Sequence, residues 1–272
     1  MLENFDWQGY KVSLDSETFH ICSPWQLQGN PVFGHDSDYT TLAISLLSLV
    51  HSKGFQIDNI STNDSDIDLE VLKVATGIEN FSKDCDWNLI CHDFASLTIS
   101  KSKETHFSIP NGLTEIDSKL HEQINLAWEK ETSLENVSQG AYISSQQYAE
   151  SLNSRLNLLA QFDDKAIWPP RQLSDDGTVI GNPEVKLSRT CQIESWTKLS
   201  ALGAPSEFSI RAPLLDGIST VYVSFEEGAR GVFLLTDDQN KKPDIGMKGE
   251  IVIRKIYSQE GQIRYGTKVQ LI

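Results

Sequence analysis

Three groups of residues in this 272-residue chain could do chemistry. The first is Cys91-His92, with His35 in the same half, because an activated thiol with a histidine base performs acyl-thioester transfer. On a strand, neighbouring side chains point to opposite faces, so this adjacency argues against a dyad. Cys91 is expected to pack as a small apolar residue, and His35 is expected at the surface, in a turn that caps a helix. The second group is the acidic run Asp64-Ser65-Asp66-Ile67-Asp68-Leu69-Glu70. A calcium loop starting at Asp64 needs Gly at 69 and Glu at 75; Leu69 and Ala75 stand there, so a solvated loop capping the next helix is expected. The third group is Trp168, Pro170, Arg171, Trp196, Arg211 and Arg230. Guanidinium groups grip phosphate in bidentate fashion. Against that, Trp196 has the character of a barrel-core residue, and Arg171 could serve only to order a loop tip. No Gly-x-Gly-x-x-Gly, P-loop or Gly-x-Ser-x-Gly motif is present, so nucleotide hydrolysis, dinucleotide redox chemistry and a serine elbow have no support.

These groups sit in two unlike halves. The net charge is −15. Residues 1–135 carry 22 acidic and 8 basic side chains, no arginine and all six histidines. Residues 136–272 carry 16 acidic and 15 basic. This shift places a boundary near 133–145. The acidic half argues against nucleic acid and anionic membrane as partners, since phosphates need a positive field. The near-neutral half can still hold a local basic patch for one anionic ligand. Cys22, Cys85, Cys91 and Cys191 match no disulfide framework and no Cys-x-x-Cys pair, so a reduced, cytoplasmic protein is expected. The start of the chain lacks a basic leader, and the longest apolar stretch, Leu42 to Val50, is too short to span a bilayer.

Periodicity supplies the elements. Tyr39–Lys53 reads as a helix capped by Asp36, Ser37 or Asp38 and ended by Gly54. Leu69–Ala75 is a shorter helix closed by Gly77, and Ile116–Glu131 is a long one with Ile116, Leu120, Ile124, Ala127 and Trp128 inward. Thr114 with Asp117 resembles a capping box for that helix. Strands are expected at Trp87–Cys91, Ser96–Ser100 and His106–Ile109, which makes the first half α/β. A polar linker follows at Leu134–Gly140. Ser144–Gln161 is amphipathic, with Tyr148, Leu152, Leu156 and Leu159 on one face. After it come strands at Cys191–Lys198, Phe208–Arg211, Thr220–Phe225, Gly231–Leu235, Glu250–Tyr257 and Gln262–Leu271. Glu227-Gly228 and Glu260-Gly261 sit at hairpin positions. Short strands with regular turns suit a small barrel.

Four pieces in order carry a resemblance: the helix Ser144–Gln161, then Trp168-Pro169-Pro170-Arg171, Glu194-Ser195-Trp196-Thr197 and Ile245-Gly246-Met247-Lys248. Residues 142–272 resemble the acyl-CoA-associated OB-fold family, whose members carry a rubredoxin-like zinc ribbon before the barrel. The resemblance implies a ribbon at 142–187 and an OB-type barrel at 188–272, and so an α+β chain. The family's ribbon cysteines fall here on Ala160, Asp163, Ser174 and Gly177. Zinc needs about four donors, so the site is expected to be lost and the segment held by packing of Ile167, Trp168, Leu173 and Val179. Gly34 to Ala43, with its Asp-x-x-Thr-Leu-Ala start, looks like an early helix of thiolase-like proteins. That makes residues 1–135 a candidate degenerate thiolase-like lobe.

The resemblance implies a non-catalytic accessory subunit. It would bind a thiolase-like or ketosynthase-like enzyme and help hold an acyl-CoA, or a phosphopantetheine-borne acyl group on an acyl-carrier protein. Trp168, Pro170, Arg171, Trp196, Arg211 and Arg230 would contact the ligand, with no catalytic residue, metal or resident cofactor. The alternative is an acyl-thioester enzyme with its active site in residues 1–135. A nucleic-acid-binding OB fold would need exposed aromatics in a positive groove, which the charge disfavours.

Overall fold

The computed structural model describes residues 3–15, 17–62, 64–82, 85–102, 105, 108–135, 144–171, 173, 176–181, 185–239 and 241–272. The chain divides into two compact units, Met1–Glu122 and Gln123–Ile272.

The first unit opens on five strands not among those expected from the sequence: β1 (Glu3–Trp7), β2 (Tyr10–Asp15), β3 (Thr18–Cys22), β4 (Trp25–Leu27) and β5 (Asn30–Val32). In β2, apolar Tyr10, Val12 and Leu14 are buried while Lys11 and Ser13 are half-buried and Asp15 is exposed, the period-2 pattern of a half-covered strand. Helix α1 (Tyr39–Ser52) is capped by Asp38, whose carboxylate accepts from Thr41 N while the Thr41 hydroxyl bonds the cap residue's own backbone. Strand β6 (Asn59–Ile60) precedes helix α2 (Leu69–Thr76). Asp68 caps α2, as expected of the acidic run, and Gly77 ends it at φ +76°. Strands β7 (Asn80–Phe81), β8 (Asn88–His92), β9 (Ser96–Ser100) and β10 (Thr114–Glu115) follow. The main sheet has the order β1-β2-β3-β9-β8, and every pair in it is antiparallel. The α/β expectation is corrected on this point, because helical crossovers build parallel sheets. Of the strand expected at His106–Ile109, residues 106 and 107 lie outside the described residues, and 108–109 are not in a strand.

The division between the units falls inside helix α3 (Ser118–Thr132). Its cap is Asp117, which accepts from Leu120 N at 2.7 Å; Thr114 lies on β10 instead of starting a capping box. Most of the expected linker, residues 136–140, lies outside the described residues. Helix α4 (Ser145–Leu156) starts at a capping box of Ser144 with Gln147 and buries Tyr148, Leu152 and Leu156. It stops five residues short of the expected end: Leu158 takes φ +52° and the chain turns into strand β11 (Leu159–Asp163). Strands β12 (Lys165–Ile167) and β13 (Val185–Lys186) flank β11 in a three-stranded sheet. Leu173 and Val179 face solvent and meet only through an isolated bridge, so packing of that pair does not hold the segment. Leu158, Ala160, Ala166 and Leu187 hold it instead, by joining the core of the barrel that follows.

That barrel is closed. Its strands are β14 (Thr190–Leu199), β15 (Ile218–Phe225), β16 (Arg230–Leu235), β17 (Lys248–Gln259) and β18 (Gln262–Leu271), ordered β14-β15-β16-β18-β17 and back to β14. All neighbours are antiparallel except β16 and β18, which run parallel and pair only at Leu234↔Lys268 and Leu235↔Val269. The β17–β18 hairpin turns on Glu260-Gly261, both at positive φ, as that dipeptide foretold. Phe208–Arg211 is not a strand; it belongs to a run of 3₁₀ helix and turns between β14 and β15.

Candidate functional site

Because β16 and β18 share only two residue pairs, they splay apart along most of their length. The gap between them is a cavity of about 290 Å³, walled by Val232–Leu234 on one side and Arg264–Thr267 on the other. Helix α4 covers it with Tyr148 and Arg155, and β17 contributes Ile256 and Tyr257. A register shift in β17 between Lys255 and Tyr257 leaves Ile256 as an extra residue at the cavity. Ile256 packs so closely on Gly266 that a Cβ there would sit 3.0 Å from it.

Trp168 closes one end. Its ring stacks on Phe233 at 6.3 Å with planes 8° apart, and it packs on the barrel core. Gly231 makes the seat: a Cβ there would lie 2.7 Å from the indole and 2.9 Å from the Phe233 ring. Pro169 continues the lining. This anchors the loop tip from below, while Gln161 ties it from the side. Buried Gln161 accepts from Arg171 N at 2.7 Å and donates to the Gly181 carbonyl at 2.7 Å.

The cavity lining contains two arginines and no aspartate or glutamate. Arg264 is buried, stacks on Tyr148 at 4.6 Å, and donates through its two terminal nitrogens to Ser145 Oγ at 2.8 Å and Gln262 Oε1 at 3.3 Å. Its Nε has no hydrogen-bond partner among the described residues. A buried N–H left unpaired costs about 1–3 kcal/mol, more for a charged group. Glu260 reaches Arg264 only at 3.8 Å, with a side chain 66% exposed. Arg155 is half-buried and makes no hydrogen bond or ion pair with the described residues. Burial raises the Tyr257 phenol above its ordinary value, against the pull of Arg264 and Arg155 and with a smaller push from Glu207, so the hydroxyl stays a neutral donor. Tyr148 fixes the helix to the strand: its hydroxyl accepts from Tyr265 N at 2.9 Å and donates to Tyr265 O at 3.2 Å.

The six residues expected to contact ligand are thus dispersed. Trp168 lines the cavity, and half-buried Pro170 is not part of its lining. Arg171 is exposed and bound through its backbone to Gln161, a role in ordering the tip. Trp196 is 38% exposed, so it is not the core residue that its type suggested; it lines a separate cavity of about 230 Å³ with Lys198, Phe208 and Leu215. The cause is a bulge at Glu194, beyond which β14 from Ser195 to Leu199 runs exposed past the core. Arg230 is exposed and donates through Nε to both Glu194 oxygens at 3.0 Å. Arg211 requires correction as a phosphate contact. It is 1% exposed, its Nε donates to both Glu131 oxygens, one terminal nitrogen binds Asp237 and the other binds the Ile256 carbonyl at 2.7 Å. The Trp128 ring lies 3.7 Å from its guanidinium carbon. That guanidinium is spent on structure.

Sequence reasoning missed Arg155 and Arg264. Arg264 alternates with Ile263 and Tyr265, so it reads as an outward polar residue. The only available signal was the apolar stripe Tyr148–Leu152–Leu156 of α4, which has to cover the outer face of some strand.

In the first unit, burial and Asp64 both push the Cys91 thiol well above its ordinary value. His92 Nε2 is 2.6 Å from Thr98 Oγ1, whose other neighbour is His20 Nδ1 at 2.6 Å. Neither imidazole is hydrogen-bonded to the thiol. His35 is buried, not at the surface as expected. At the places of the ribbon cysteines, Ala160 is fully buried and Gly177 takes φ +85°, while Ser174 and the Asp163 side chain lie outside the described residues. Among the described residues, no three His, Cys, Asp or Glu side chains are grouped to hold a metal ion, and no helix is long and apolar enough to cross a membrane. In comparison with known proteins, no family model matches the chain, and no curated protein matches it significantly.

Proposed function

We propose that the chain is an accessory subunit that binds a thiolase-like or ketosynthase-like enzyme and helps hold an acyl-CoA or acyl-carrier thioester. The observation that carries this reading is the β16–β18 cavity: aromatic and aliphatic walls, two arginines and no lining carboxylate. An acyl-pantetheine ligand is apolar along its arm and anionic at its end, and small-molecule sites combine such apolar lining with a few placed polar groups. The barrel order, first-second-third-fifth-fourth, is that of an OB fold, which agrees with the resemblance of residues 142–272. For a thiolase-like origin of the first unit, the support is the helix start at Asp38 alone. Its antiparallel sheet gives none.

The test is affinity purification from the native host, followed by turnover measurements on the recovered complex. A stoichiometric condensing enzyme, whose activity falls when the subunit carries Trp168→Ala or Arg155→Ala, is the expected result. Recovery of the chain alone, with turnover of an acyl-CoA that cysteine alkylation abolishes, favours an acyl-thioester enzyme with its site in residues 1–135. The state of Cys91 opposes that outcome, because the thiolate is the reacting form.

A further inference from the structure

We infer that the open end of the barrel is a nucleotide-binding site, which seats a base against Trp196 and a phosphate at Lys241 and Lys242. The site is the cavity of about 230 Å³, which shares only Leu234 with the β16–β18 gap. One wall is the far end of β14. Beyond the bulge at Glu194, Trp196 and Lys198 are two residues apart and so fall on one face of the strand. Trp196 pairs with Val221 and, across it, with Phe233, both core residues of the barrel. The indole therefore stands on the inner face of the sheet, where the core meets solvent. It is 38% exposed and meets no other ring among the described residues. The floor is apolar, made by Phe208, Leu215, Ile218, Leu234 and Leu235. Gly217, at φ +105°, brings the chain so close to β14 that a Cβ there would sit 2.2 Å from the Leu199 carbonyl oxygen, which closes this edge.

The polar groups face this floor from two sides, Lys198 on β14 and Gln239, Lys241 and Lys242 on the loop after β16. Lys241 and Lys242 are exposed and make no hydrogen bond or ion pair with the described residues. Lys198 is taken up by Asp216 at 2.7 Å. Gln239 is oriented by the barrel: its oxygen accepts from Leu271 N and from Thr236 Oγ1, both at 3.3 Å. A backbone N–H can only donate, so the assignment is fixed, and the amide NH2 remains a donor with no partner among the described residues. Asp237 is the one carboxylate in the lining. Its two oxygens are already engaged, by Arg211 at 2.9 Å and Lys268 at 2.6 Å, buried cations outside the lining. Asp238 and Asp244 also stand outside it. A phosphate thus meets two unpaired lysines and an amide donor, and its charge is complementary to theirs. The indole selects the other end of the ligand, because aromatic faces stack on bases of any kind. A volume of about 230 Å³ holds one ring system and leaves sugar and phosphate at the rim, where the lysines are. The basic groups sit at one point and do not track along a groove, so the ligand is a single nucleotide and not a strand. That chemistry is shared by a free nucleotide and by the nucleotide end of CoA. The site is argued apart from the accessory role and needs no partner enzyme.

The experiment titrates the full chain, by calorimetry and by Trp fluorescence, with AMP, adenosine, inorganic phosphate and CoA. AMP is expected to bind. Adenosine and phosphate, each lacking one half of the ligand, are expected to bind more weakly by roughly tenfold or more. Replacing both exposed lysines, Lys241→Ala with Lys242→Ala, should weaken AMP by a similar factor and leave adenosine unchanged. Trp196→Ala should weaken AMP and adenosine alike, again by roughly tenfold. Should that variant lose its far-ultraviolet circular dichroism, the lysine pair alone decides. CoA that displaces AMP assigns the site to the nucleotide end of CoA, and CoA that does not displace it assigns the site to a free nucleotide. Arg155→Ala, at the β16–β18 cavity, should leave AMP affinity unchanged, so this site and the accessory role can fail separately. No binding of AMP, phosphate binding as tightly as AMP, or an unchanged AMP affinity in the lysine pair would overturn the nucleotide site.

Discussion

Arg211 and Arg264 begin alike and end differently. Both are buried arginines in the second unit, and both stack on an aromatic ring offered by a helix, Trp128 of α3 or Tyr148 of α4. Around Arg211 the protein supplies two carboxylates, Glu131 and Asp237, and a backbone carbonyl, and Lys268 meets the other Asp237 oxygen at 2.6 Å. Around Arg264 it supplies a hydroxyl, an amide and one carboxylate at 3.8 Å, and Nε is buried without a hydrogen-bond partner among the described residues. Residue type and burial therefore do not tell how fully an arginine's donors are satisfied.

The sharpest way to break this comparison is to remove each guanidinium. Arg211→Ala strands Glu131, whose carboxyl burial already pushes upward against the pull of Arg211, inside the unit. Loss of one partner of a buried pair costs about 3–5 kcal/mol, so urea denaturation should show a large fall in stability. A loss below about 1 kcal/mol would mean that the network is not structural. Gly231→Ala should cost about 1–3 kcal/mol by overpacking, because the new methyl meets the Trp168 and Phe233 rings. It should also shift Trp fluorescence as the indole leaves its seat. An unchanged spectrum would show that Trp168 does not depend on that glycine.

His20 in the first unit is a third buried base, with its Nδ1 2.6 Å from Thr98 Oγ1. Burial, and then His92, lower its pKa to about 4, while Asp15 opposes them weakly. The unfolded chain takes up the proton near 6.5 and the folded one does not. Stability from this site is therefore intact above about pH 6.5 and is lost as pH falls from there toward about 4. Denaturation midpoints across that window should show this slope, and His20→Gln should reduce it, with His92 and His121, which burial also lowers, supplying the rest. The smallest expected effect is at Arg230, whose ion pair with Glu194 is exposed. Arg230→Ala should change stability by less than about 1 kcal/mol. A large change would break the contrast between the exposed Arg230 and the buried Arg211.

What the sequence revealed and what it hid follow a physical line. Helix α1, strand β9 and the Glu260-Gly261 hairpin were legible because caps, alternation and turn residues act within a few positions. The turns at Phe208–Arg211 read as a strand because the fate of Arg211 depends on Glu131, 80 residues earlier, and on Asp237, 26 later. Trp168 was recognised from its Pro-Pro-Arg neighbourhood, yet the arginines that share its cavity were not. Arg155 belongs to a helix and Arg264 to a strand whose polar face looks exposed until α4 is laid across it. Local pattern foretells elements, and it does not report which polar residues another element will cover.

The two-residue join between β16 and β18 has a mechanical consequence. A barrel is a hoop, and this one is fastened at Leu234↔Lys268 and Leu235↔Val269, with Thr236 N donating to the Val269 carbonyl at 3.1 Å just beyond. Any breathing of the hoop concentrates at its shortest fastening, since longer ladders such as β17–β18 open only by breaking many bonds together. Deuterium should therefore reach the Thr236 amide before it reaches the hairpin, and a molecule wedged beside Trp168 would set the tension across the clasp.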